Sequence, residues 1–133
     1  MAAQGSDLAA VHNNLGLSYF ENDMFSEAEK EFQQALVKED PNRTQERSFY
    51  LKNSGLAKYH QGMMDAALED YKQAIQLNGT NADGYFNRGN VYLYQAGQLE
   101  QYEMYDKAHE DFDTAIGLDP TNAKLYHAKG LVY

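Results

Sequence analysis

The chain has no cysteine, so disulfides, thiolate metal sites and cysteine nucleophiles are excluded. Only 2 prolines interrupt its 133 residues, and helix-compatible residues fill the long segments between turn signals. That favours an all-α reading over a mixed one. No apolar run approaches the length needed to span a membrane. Basic residues are scarce: 11 Lys and Arg stand against 20 Asp and Glu, for a net charge of −9. An acidic chain repels phosphate backbones and anionic membrane surfaces, so neither nucleic acid nor a membrane is an expected partner. Met1 to Ser6 lack the basic and apolar regions of a signal peptide. They read as a disordered lead-in, and a cytoplasmic location is expected. The glycosylation patterns at Asn42-Arg43-Thr44 and Asn78-Gly79-Thr80 are then chance matches.

Enzyme constellations are missing as well. His12, His60, His109 and His127 are scattered, with no pair at ligand spacing. No Gly-rich phosphate loop occurs. The acidic pairs Glu69-Asp70 and Glu110-Asp111 are expected on a solvated helix face. The chain is therefore expected to be no enzyme and to carry neither metal nor cofactor.

What is present is a repeat. Gly16, Gly55, Gly89 and Gly130 each sit in a similar run, and the spacings between them are 39, 34 and 41. After each of the first three comes an alanine, a ring residue four on and an alanine three further: Ala28/Phe32/Ala35, Ala67/Tyr71/Ala74 and Ala108/Phe112/Ala115. Steps of four and three share one helix face. Glycine inside a helix costs roughly 1 kcal/mol against alanine. Its recurrence implies that two helices approach closely there, with the ring filling the space beside it. Each hairpin leaves an apolar face that only a neighbour covers, so the units stack.

These residues resemble the tetratricopeptide repeat family over nearly the whole chain. In the middle unit Gly55, Tyr59, Gly62, Ala67, Tyr71, Ala74 and Leu77 fall where the family has small or apolar residues. Pro41 and Pro120 follow second helices, as in the family motif, and Gly79 stands in the equivalent place as a left-handed C-cap. The resemblance implies a right-handed α-solenoid of antiparallel helical hairpins: one array over 1–133, with repeats at 8–41, 47–81 and 82–121 and a truncated fourth at 122–133. Extra residues before the second glycine are expected to lengthen the next helix near Thr44 to Ser48, with Thr44 as its cap. Seven extra residues between Tyr92 and Tyr105 predict a longer hairpin that turns at Ala96-Gly97-Gln98, with Leu99 and Tyr102 already in the following helix. The chain stops at Tyr133 on the apolar residues Leu131 and Val132. That predicts a piece of a longer protein that self-associates through this last helix.

The resemblance also implies a function: a protein-protein interaction scaffold whose first helices line a concave groove for a peptide or partner segment. Asn14, Asn53 and Asn87 share one repeat position two before the glycine. Asparagine donates and accepts, so the row resembles the asparagine ladders with which family members clamp a peptide backbone. Around it Phe49, Tyr59, Phe86 and Tyr94 would take side chains, with Lys52, Asn90 and Lys124 as polar contacts. A second reading is a rigid spacer or assembly segment of a larger complex. A third is the clamp by which co-chaperones grip an acidic C-terminal peptide. Lys52, Asn87 and Lys124 fit that motif, but Leu56 and Ala128 stand where it has an asparagine and an arginine. Without the arginine the bidentate grip on a carboxylate is lost.

Overall fold

A computed structural model describes residues 2–130, with side chains from Gly5 onward. Among the described residues there are seven helices and no strand: α1 (Ala2–Glu21), α2 (Phe25–Lys38), α3 (Thr44–His60), α4 (Met64–Leu77), α5 (Ala82–Gly97), α6 (Met104–Leu118) and α7 (Ala123–Gly130). The fold class is the expected one. The chain divides into two compact units, Met1–Asn78 and Gly79–Tyr133. The first holds two hairpins, α1–α2 and α3–α4. The second holds the hairpin α5–α6 and the single helix α7.

One contact recurs in every hairpin. A Cβ placed on Gly16 would lie 2.6 Å from the Phe32 ring, on Gly55 2.6 Å from the Tyr71 ring, and on Gly89 2.7 Å from the Phe112 ring. The three rings are buried, and so are the alanines that flank them. Glycine is what lets the first helix close on the ring of the second. Within the first unit α3 then stacks on α2. Tyr50 packs with Ala9 and Ala35, and Ala57 with Ala28 and Phe32. In the second unit α7 covers α6, with Ala128 against Ala108 and Phe112 and with Leu125 fully buried.

A second recurring feature overturns the expectation of a solvated face at Glu69-Asp70 and Glu110-Asp111. Asp70 and Asp111 are buried, while Glu69 and Glu110 are exposed. Each buried acid directly precedes the buried ring of its second helix, where the side chain turns back toward the first helix. Lys58 Nζ lies 2.8 Å from Asp70 Oδ2. Arg88 grips Asp111 with two bonds of 2.8 Å. In the first hairpin Glu31 holds the same position and meets His12 Nδ1 at 2.7 Å. Burial pushes the Asp111 carboxyl above its usual range, and the opposing pull of Arg88 does not cancel this; the same bonds hold the Arg88 guanidinium above its own.

Chain reversal within the hairpins uses three left-handed residues, Asp23 (φ 61°), Gly62 (φ 81°) and Glu100 (φ 58°). Gly79 is not among the left-handed residues: Asn78, at φ −149° and ψ 85°, caps α4, so the expected glycine C-cap is absent. Thr44 does not cap α3 either. Arg43 holds the N-cap position and no side chain bonds there; Thr44 is the first helical residue of the lengthened α3. Of the seven extra residues in the third hairpin, three lengthen α5, three enlarge its turn and one extends α6. Leu99 and Tyr102 therefore lie in the turn and not in the following helix, because the amide of Gln101 bonds back to the carbonyl of Gln95 and holds the chain out of helical register. At the other end, residues 2–6 belong to α1 and are no disordered lead-in. Ser6 Oγ donates to Glu39 Oε1 at 2.6 Å and ties them to the end of α2. Leu131, Val132 and Tyr133, on which the expected self-association rested, lie outside the described residues.

Candidate functional site

In the first unit, α1 and α3 share a face on which several of the expected contact residues meet. Asn14 and Phe49 are both exposed and line one shallow depression of about 260 Å³. Ala10, Asn13, Gln45, Glu46 and Tyr50 complete its wall. Lys52 follows Phe49 by one helical turn, and its ammonium stands 4.5 Å from the ring centroid, a cation–π contact that keeps the ring oriented. Beneath the depression the Tyr50 phenol donates to Glu39 Oε2 at 3.2 Å. Burial, reinforced by the Glu39 carboxylate, pushes that phenol up to about 12.

Asn53 differs from Asn14 although the two share a repeat position. It is buried, and its Nδ2 donates to Asn13 Oδ1 at 2.8 Å, which links α3 to α1. Tyr59 is half-buried, its ring edge-on to His60 at 5.4 Å.

In the second unit a smaller patch forms on α5 and α7. Lys124 is exposed and its Nζ stands 4.8 Å from the centroid of the half-buried Phe86. Phe86 in turn leans on Phe112, with ring centroids 6.1 Å apart. Asn87 is buried, Asn90 half-buried and Tyr94 exposed. The structure thus groups Asn14 with Phe49 and Lys52, and Phe86 with Lys124, but gives the three asparagines unlike surroundings. Gln45 and Glu46 were not foreseen as part of the depression. The lengthened start of α3 carries them beside Ala10, and that extension was the available signal. Among the described residues no three His, Asp or Glu side chains converge as a metal site. No helix among them is long and apolar enough to cross a membrane.

Two repeat models match the sequence, the tetratricopeptide repeat over residues 9–42 and the TPR repeat over 55–95, together more than half of the chain. No curated protein sequence matches significantly. Among solved structures, the first TPR of Spaghetti (RPAP3) bound to the HSP90 peptide SRMEEVD superposes with a TM-score of 0.82 at 18% identity, over 96% of this chain and 94% of that one. The Arabidopsis OM64 TPR domain gives 0.80 at 20% identity, over 96% of each chain. The second TPR domain of human RPAP3, in complex with the HSP70 peptide SGPTIEEVD, gives 0.78 at 17% identity, over 99% of this chain and 98% of that one. At these identities the likeness concerns the fold. With the glycine-on-ring hairpins and the matched repeat models, it makes this chain a member of the tetratricopeptide repeat family.

Proposed function

We propose that the chain is a non-catalytic interaction scaffold that holds an extended peptide, or a segment of a partner protein, against the faces of its first helices. The observation that carries this reading is the depression on α1 and α3. It places an exposed amide, Asn14, beside an exposed ring, Phe49, with the Lys52 ammonium at its rim. An amide that both donates and accepts pairs with a peptide backbone, and the ring offers apolar area for a side chain. The Phe86, Asn90 and Lys124 patch offers the same three chemistries in the second unit. Asn53 and Asn87 enter this reading as supports beneath the surface, since both are buried.

Peptide display on the wild-type chain tests it. Enriched peptides should lose at least about tenfold in affinity on an Asn14→Ala/Phe49→Ala variant of unchanged helicity. No enrichment, or equal binding to both chains, would favour the spacer reading, in which contacts are made elsewhere.

A second, narrower reading is supported by two of the structural relatives, which are bound to peptides ending in EEVD. The exposed Lys124 ammonium suits such a carboxylate-rich ligand, while Leu56 and the buried Ala128, standing where the motif has an asparagine and an arginine, do not. Titration with SRMEEVD decides. The clamp requires binding that Lys52→Ala and Lys124→Ala each abolish and that salt weakens steeply; failure to bind removes it and leaves the broader reading standing.

A further inference from the structure

Within the first unit, α2, α3 and α4 border a cavity of about 770 Å³ that shares no residue with the depression around Phe49. Arg47, Leu51 and Lys58 reach it from one face of α3, and the first and last stand three helical turns apart, roughly 16 Å. Hydrogen bonds fix what lies at each end. Arg47 Nη1 donates to the Leu36 carbonyl at 2.9 Å and Ser48 Oγ to the Ala74 carbonyl at 2.8 Å. The late residues of α2 and α4, Leu36, Gln76 and Leu77, therefore flank Arg47. At the other end Lys58 Nζ lies 2.8 Å from Asp70 Oδ2, which brings Glu69 there as well. Between the ends, Gln33 on α2 and Gln73 on α4 offer amides from facing walls, with the buried Leu51 on the floor.

Four charged side chains line this cavity, and two of them cancel: Lys58 and Asp70 are each other's partner. That leaves one cation and one anion at opposite ends. Arg43 meets Glu39 and Glu46, and Arg88 meets Asp111, but the half-buried Arg47 has a backbone carbonyl and no carboxylate among the described residues. In a chain with 20 Asp and Glu against 11 Lys and Arg, that arginine stands out. Most of the donors of its planar fork face no protein acceptor, and a carboxylate fits such a fork with two bonds. Glu69 is exposed, and its Oε1 accepts from the Gln73 amide at 3.1 Å, so its charge is not neutralised.

We propose that this cavity holds an extended segment of a partner protein, with a glutamate on Arg47 and a lysine or arginine on Glu69. An extended chain rises about 3.3 Å per residue, and side chains four apart point the same way, about 13 Å from one another; their own length spans the rest. The occupant is extended because the facing amides of Gln33 and Gln73 match a backbone whose N–H and C=O groups are open, whereas a helix has already paired its own. A second folded copy of this chain supplies no such segment: among the described residues the longest break between helices, 98–103, is a turn folded back by the bond from the Gln101 amide to the Gln95 carbonyl.

Acetylated, amidated pentapeptides test the charge pattern. ETVTK and KTVTE carry it in the two chain directions, and their β-branched centres favour the extended form. In amide chemical-shift titrations of the full chain at least one should bind saturably, with the shifts centred on Gln33, Leu51 and Gln73. The all-acid ETVTE and the all-base KTVTK should bind more weakly. Arg47→Gln should weaken the mixed-charge peptide at least about tenfold and Glu69→Gln about two- to fivefold, each with wild-type helicity. Glu69→Lys is the decisive variant, since it should reverse the preference and favour ETVTE, which loss of a merely structural contact would not do. The proposal is overturned if neither mixed-charge peptide binds at millimolar concentration, if either control binds the wild type equally well, or if Glu69→Lys leaves the preference unchanged. It is also overturned if the wild-type chain sediments as a dimer that Arg47→Gln splits, since the occupant would then be a second copy. A Phe49→Ala chain should bind these peptides as the wild type does, so this inference and the reading of the first-helix faces fail separately.

Discussion

Replacing Gly55 by alanine tests the hairpin account at its tightest point. The new Cβ would stand 2.6 Å from Tyr71 Cε1, 2.9 Å from Cζ and 3.0 Å from Cδ1. Carbon atoms in contact sit at about 3.5–4.0 Å. Tyr71 is 1% exposed, so its ring has no solvent to swing into and α3 must lift from α4. Overpacking of this kind costs about 1–3 kcal/mol, and the short contact argues for the upper part of that range. Helix propensity returns about 1 kcal/mol for Gly→Ala. The net expectation is a loss of about 1–2 kcal/mol. Gly117 in α6 is the control: nothing lies within 4 Å of a Cβ placed there, so the same substitution should stabilise by up to about 1 kcal/mol. Urea unfolding measures both. In a Tyr71→Leu background, which removes the ring, Gly55→Ala should lose most of its penalty, and the double-mutant cycle reads that coupling directly. A Gly55→Ala chain stabilised as much as the Gly117→Ala chain would refute the close-approach argument.

Three further outcomes are expected. Arg88→Ala strips Asp111 of both its bonds and leaves a buried carboxyl unpaired; the cost in denaturant unfolding should approach about 3 kcal/mol, and no loss would mean the pair contributes nothing. Asn53→Ala orphans the Asn13 amide and should cost about 1–3 kcal/mol, whereas Asn14→Ala, at an exposed site, should stay within about 0.5 kcal/mol of wild type. Tyr50 has its folded pKa raised from 10.0 to about 12, chiefly by burial, so its contribution is fully present below pH 10.0 and lost as pH rises through about 12. Alkaline unfolding of the wild-type chain should therefore be shifted in Tyr50→Phe, and an unchanged profile would count against the buried phenol.

The hairpins were legible in the sequence because their signal is steric and repeats. Gly16, Gly55 and Gly89 are intelligible only if a ring sits against each, and Phe32, Tyr71 and Phe112 recur at fixed places to supply it. Helix ends were less legible. Thr44 and Gly79 have the residue types of caps, but capping depends on backbone angles that the chain sets elsewhere, at Arg43 and Asn78. The acidic residues illustrate a different limit. Asp70 and Asp111 are neighbours in sequence of exposed glutamates, and their partners come from three different first-helix positions, at His12, Lys58 and Arg88 if Glu31 is included. No fixed spacing announces such pairs. At the candidate site the equivalence of Asn14 and Asn53 was visible, but their difference was not. Asn53 meets the amide of Asn13 on a neighbouring helix, while the corresponding edge of α1 faces solvent.

The central claim, that first-helix faces hold a peptide, is tested most directly by amide chemical-shift mapping of the isotope-labelled chain during titration with a display-selected peptide. The account predicts that the largest shifts cluster at Asn14, Phe49 and Lys52 and at Phe86, Asn90 and Lys124. Shifts confined to the second helices α2, α4 and α6, with these six residues unmoved, would contradict it.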